Sequence, residues 1–192
     1  MTWPRGRVNL KAFWTRFATT DASAEEFIAG IAQHAHEYGR FNLLLWDGQS
    51  LHCVGNHPRF HAEEVGPGVH ALSNAQLDAD WPKARRASRA LSEWLRQQAD
   101  VEPDLTAASR QAEPLFIALA DSAPAADDEL PETGVGLDLE RRLSPPFVLG
   151  DTYGTRCSTL VLASSAGIAM SERRFGANGI ATGSGGFVQC EA

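Results

Sequence analysis

The chain has 192 residues, 43% of them hydrophobic and 21% charged, a composition that excludes disorder and is large enough to bury a core in a single domain. A formal net charge of -7 with no run of lysine or arginine excludes a surface for nucleic acid or anionic membrane, because phosphate binding needs clustered positive charge. No apolar run approaches the roughly 20 residues that span a bilayer, and the start MTWPRGRVNLKAFW lacks a signal-peptide apolar stretch, so a cytoplasmic protein with no membrane span is expected.

In chain order, the first element is a helix over 21–38. Ser23 followed by Glu26 is a capping box, and Phe27, Ile31, Ala35 and Tyr38 recur along one face. Phe41 to Trp46 (FNLLLW) is a nearly continuous apolar run that predicts a strand covered on both faces. Asp47-Gly48 then turns the chain into a second strand, Leu51 to Val54. After the Gly66-Pro67-Gly68 break, Val69 to Leu72 reads as extended. Asp80-Trp81-Pro82 opens a helix to about Gln98, since proline in a first turn gives up no hydrogen bond. Its predicted buried stripe is Ala84, Ala87, Leu91, Trp94 and Leu95, with Lys83, Arg85, Arg86, Arg89 and Arg96 outward.

A further helix starts near Glu113-Pro114 and carries Leu115, Phe116 and Leu119. Ser122 to Gly136, acidic and rich in proline, alanine and glycine, reads as an exposed connection, with a short helix over 137–143 behind it. Strands follow at Phe147 to Leu149, Cys157 to Ala163 and Ile168 to Phe175, with turns at Ser165 to Gly167 and Gly176 to Gly179. Residues 176–192 read as a tail that frays through Gly183 to Gly186. Antiparallel strands with helices packed on them make the expected class α+β.

Several patterns invite chemistry and do not sustain it. Leu130-Pro131-Glu132-Thr133-Gly134 matches a sortase signal, which works only before an apolar segment and a basic tail; LDLERRLSPPF follows instead, so a turn is expected. Cys53, His57 and His61 recur every four residues, as metal ligands on one helix face would, but Gly55 and Pro58 make that segment a loop. His34 and His36 lie two apart and point to different sides of a helix. No metal site is predicted. No cofactor is required by any motif, and the three widely spaced cysteines, Cys53, Cys157 and Cys190, read as buried free thiols.

Five blocks carry a family resemblance: FNLLLWD (41–47), HALSNAQLDADWPKARR (70–86), ELPETGVGLDLERRLSPPFV (129–148), YGTRCSTLVL (153–162) and SERRF (171–175). Together, over about 21–175, they resemble the NRDE family, that of the transport and Golgi organisation protein 2. The resemblance implies an N-terminal-nucleophile hydrolase-like αββα sandwich of two stacked antiparallel sheets between helices. Members begin Met-Cys, so that the exposed cysteine attacks an amide with its own α-amine as base, and carry Asn-Arg-Asp-Glu on an early hairpin. This chain starts MTWPRGRVNL and matches neither. The expected fold is therefore incomplete, its early strands missing, through a misassigned start or a truncated gene. Thr2 as a substitute nucleophile is disfavoured, because Pro4 makes a poor strand opening.

Three residues remain as candidate oxyanion or substrate contacts. Asn74, in LSNAQLDADW, is similar to the asparagine of penicillin and bile-salt acylases whose amide helps form an oxyanion hole; otherwise it is a turn residue bonding nearby backbone. Arg156, in YGTRCST, is a fixed cation for a substrate carboxylate or one half of a structural ion pair. Tyr153 offers a hydroxyl donor in the same pocket or packs under its loop. Two functional readings follow. One is metabolite or haem handling without covalent catalysis, haem entering as a noncovalent ligand because family members are linked to haem trafficking. The other is amide or acyl hydrolysis by a cysteine upstream of this start.

Overall fold

The computed structural model describes residues 22–98 and 107–190, and the chain divides into two compact units at Gly68. Thr2 and Pro4 lie outside the described residues. Mixed helix and sheet is what these residues form, with two three-stranded antiparallel sheets.

In the first unit, helix α1 (Ala24–His34) opens with the expected capping box: the Ser23 hydroxyl accepts from the Glu26 amide at 3.2 Å, and the Glu26 carboxylate accepts from the Ser23 amide at 3.1 Å. Its apolar stripe continues through a single 3-10 turn, leaving Phe27, Ile31, Ala35 and Tyr38 buried. Strand β1 (Asn42–Trp46) pairs with β2 (Leu51–Gly55), and β2 with β3 (His61–Glu64). The two-sided burial expected of FNLLLW is corrected: Leu43 and Leu45 are buried, whereas Leu44 and Trp46 are 45% and 47% exposed. Among the described residues only one face of this three-stranded sheet is covered, and Leu43, Leu45 and Val54 meet Ala24, Phe27, Ile31 and Ala35 of the helix side across it.

Two polar residues fix this packing. Asn56 accepts from the Phe41 amide and donates to the Ala35 and Gly39 carbonyls, each at 2.9 Å, tying the helix end to the hairpin with its amide satisfied on both sides. Asp47 accepts from the Gln49 and Ser50 amides at 3.0 and 2.9 Å and reaches the Ala24 amide at 3.0 Å, so one carboxylate closes the turn and caps α1. The Ser50, Ala24 and Gln49 N–H donors hold its pKa well below the usual carboxylate range. A depressed folded-state pKa stabilises the fold above the ordinary value of about 3.9 and loses that contribution as pH falls below it. Asp47→Ala is therefore expected to lower the urea midpoint at about pH 7 and to differ less from wild type at about pH 2.5. An equal gap at both would count against the carboxylate as the cause.

In the second unit, α2 (Pro82–Gln98) packs on α4 (Glu113–Leu119), and the short α3 (Ala108–Gln111) lies against the second sheet. Trp94 donates from its indole N–H to the Gln111 carbonyl at 2.8 Å. Helix α5 (Leu137–Leu143) has the expected bounds. The second sheet is β4 (Cys157–Ser164), β5 (Gly167–Phe175) and β6 (Ala181–Cys190), in that order. The expected fraying after Gly183 is corrected: β6 pairs with β5 from Ala181 to Cys190, with one irregularity at Arg174/Phe175. Two expected strands are absent as ladders, Val69 to Leu72 and Phe147 to Leu149, because side-chain bonds described below take their backbone groups. Of the cysteines only Cys53 is buried; Cys157 and Cys190 are exposed on β4 and β6. His57 lies in the exposed turn between β2 and β3, and the expected buried stripe of α2 is corrected: Ala84, Ala87, Leu91 and Trp94 are only half-buried and Leu95 is 44% exposed. No described helix is long and apolar enough to cross a membrane.

Candidate functional site

The segment leading into α2 is organised by a single carboxylate. Asp78, at φ 57, accepts from the His70 imidazole at 2.7 Å through one oxygen and from the Ala71 amide at 2.8 Å through the other. Its own amide donates to the Ala71 carbonyl at 2.8 Å. These bonds draw 71–78 into a closed loop and leave Val69 to Leu72 without a strand partner. His70, followed by the Ala71 amide, holds the Asp78 pKa below its ordinary value.

Asn74 sits exposed on this loop. Tyr153 is 62% exposed and Arg156 is exposed just before β4, where its carbonyl accepts from the Phe175 amide at 2.8 Å. Among the described residues no hydrogen bond joins Asn74 to either of them. The turn that carries Tyr153 is shaped by its neighbours. Thr155 returns to Val148 through both hydroxyl and amide, at 2.9 and 2.8 Å. A Cβ at Gly150 would lie 2.1 Å from the Tyr153 carbonyl oxygen, and one at Gly154 2.7 Å from that of Val148. The glycine and threonine of YGTR thus shape a turn that Phe147 to Leu149 enters instead of a strand, leaving tyrosine and arginine outside.

The structure brings forward a residue that helical periodicity placed outward. Lys83 is half-buried in the first turn of α2. Its ammonium donates to the Leu143 carbonyl at 3.2 Å and lies 5.1 Å from the Trp81 ring centroid. Burial lowers its pKa, while the nearby Glu140 carboxylate acts in the opposite direction. Glu140 is itself buried and accepts from the Thr133 amide at 2.8 Å and from the Thr133 hydroxyl. That links the LPETG turn, α5 and the start of α2. The signal that announces Lys83 in the sequence is its place in Trp-Pro-Lys, where the first helical turn must still pack against whatever the preceding loop brings.

Lys83 stands in a cleft of about 250 Å³ whose walls come from the closed loop (His70, Leu72, Ser73), from α2 (Ala84, Ala87, Leu91) and from Leu119 and Pro146. Neither Asn74, Tyr153 nor Arg156 lines it. The arrangement offers a largely apolar trough with Lys83 as the one lysine or arginine in its wall. A wider hollow of about 480 Å³ lies by the LPETG turn, with Asp127, Glu132 and Glu140 in its wall. Asp127 is held there by the fork of Arg141, at 3.0 and 2.8 Å. Asp127 and Glu140 are engaged in joining loop to helix, so the Lys83 cleft is the better candidate for a ligand.

Compared with known families, residues 4–176 match the family model described as Transport and Golgi organisation 2. No curated protein matches the chain.

Proposed function

The chain belongs to the Transport and Golgi organisation 2 family, and from that membership we propose that it handles a small apolar metabolite noncovalently in the Lys83 cleft. The scaffold in this reading is an N-terminal-nucleophile hydrolase-like αββα sandwich, for which the support is the family and a three-stranded antiparallel sheet in each unit. The observation that carries the function is the cleft itself, with Leu72, Ala84, Ala87 and Leu91 along it and its loop wall held in place by Asp78. Haem, the ligand that the resemblance brings, fits this cleft poorly. About 250 Å³ is below the roughly 300–1,000 Å³ of drug-sized ligand sites, and the one lysine would face two propionates.

A fluorescent apolar probe, anilinonaphthalene sulfonate, tests the reading. Wild type is expected to bind it, and Ala87→Trp, which fills the trough, to bind it at least about tenfold more weakly while keeping its circular dichroism. Equal binding by both proteins would remove the cleft as the site. A second reading, amide or acyl hydrolysis, is favoured by one feature: the Asn74 amide is exposed on a loop that Asp78 closes. There Asn74, Arg156 and Tyr153 would contact the oxyanion or substrate, and the nucleophile would be the cysteine that family members carry at their mature start. Release of free amine and carboxylic acid from an acyl amide substrate, reduced on the order of 100-fold by Asn74→Ala, would decide for it.

A further inference from the structure

Resting on the noncovalent reading above, we infer that the ligand of this cleft is a medium-length aliphatic monocarboxylate whose carboxylate is held by Lys83. Three observations converge on that chemistry. The walls along Ala84, Ala87, Leu91 and Leu119 are aliphatic, which suits a hydrocarbon chain. At about 250 Å³ the space suits a flexible chain better than a macrocycle of haem size. Lys83 lines the cleft, and its ammonium has three donors and gives one to the Leu143 carbonyl, so donors remain for an oxygen pair.

A cation partly withdrawn from water binds an anion more strongly than one on an open surface, because the surroundings screen it less. Lys83 meets that condition without being sealed. Trp81 borders the ammonium at 5.1 Å, and Glu140 is the carboxylate that offsets its burial. Glu140 is occupied by Thr133 through both amide and hydroxyl, which weakens its competition with an incoming carboxylate. The other titratable group in the wall, His70, is turned toward Asp78 through its Nδ1. A neutral chain of the same length should lose the Lys83 contact and keep the apolar ones.

Calorimetric titration of the whole chain with octanoate and with octanol separates charge recognition from packing. Wild type is expected to bind octanoate at least about tenfold more tightly than octanol, and in Lys83→Met the two affinities should become equal through loss of octanoate binding alone. Parallel loss of both ligands in Lys83→Met would mean that the lysine only supports α2 against Leu143, and the inference would fall. Equal affinities in wild type would also overturn it, while leaving the apolar-ligand reading intact. Binding of neither ligand, together with no probe binding, would remove that underlying reading as well. Should Lys83→Met fail to fold, the wild-type pair still decides.

Discussion

Replacing Leu45 with alanine is expected to destabilise the first unit by about 3 kcal/mol, whereas the same change at adjacent Leu44 should stay within about 0.5 kcal/mol. The two residues have equal hydrocarbon and neighbouring positions on β1. Leu45 is 1% exposed in the cluster beneath α1, and Leu44 is 45% exposed on the other face. Deleting a buried leucine side chain loses its transfer free energy and leaves a cavity that Phe27, Ile31 and Val54 can only partly close. Urea unfolding followed by the fluorescence of Trp46, at the end of the same strand, reads both variants. Comparable losses at the two positions would show that the sheet is covered on both sides after all.

Gly150→Ala should cost about 3 kcal/mol, the upper end of what an inserted methyl exacts. Its Cβ would meet the Tyr153 carbonyl oxygen at 2.1 Å, and a backbone atom has no rotamer with which to withdraw. The Gly150 carbonyl also accepts from the Asn178 amide at 2.9 Å, so a shift that relieves the clash disturbs the turn between β5 and β6. Gly66→Ala is the matched comparison. Nothing lies within 4 Å of a Cβ there, and the change should be neutral or slightly stabilising through the unfolded chain. Thermal unfolding distinguishes the two, and a neutral Gly150→Ala would contradict the close approach that shapes the Tyr153 turn.

Both results bear on how the site is read. Tyr153 and Arg156 stand on a turn whose form depends on Gly150, Gly154 and Thr155, so variants at those three will alter the presentation of the exposed pair without touching it. The same holds for Asn74, which Asp78 presents by closing the loop around it. Motif blocks in this chain thus mix residues that shape a turn with residues that the turn displays. Lys83 differs, being both a structural donor to Leu143 and the only lysine or arginine in the wall of the cleft.

Local signals were readable in the amino-acid order because their causes are local. The Ser23–Glu26 box, the proline at the start of α2 and the short helix over Leu137–Leu143 each depend on bonds or torsions within a few residues. The family, too, was legible, since its blocks are contiguous in sequence. Strands β3 and β6 were not. HAEE lacks an apolar alternation and ATGSGGFVQC is rich in glycine; each is a strand because β2 or β5 supplies a ladder to bond. Periodicity likewise marks which residues share a helix face but cannot say what stands opposite. Lys83 turned inward because the Leu143 carbonyl and the Trp81 ring meet its ammonium there, with the Glu140 charge nearby, and Leu95 stayed exposed where no such neighbour reached it. Composition and spacing by themselves determined the class of fold and most helix starts, and the resemblance of contiguous blocks to a known family determined the family. Tertiary structure alone decided which leucines are core, which loop is closed by Asp78 and where the cation lies, because those outcomes depend on groups far apart in sequence competing for the same space and hydrogen bonds.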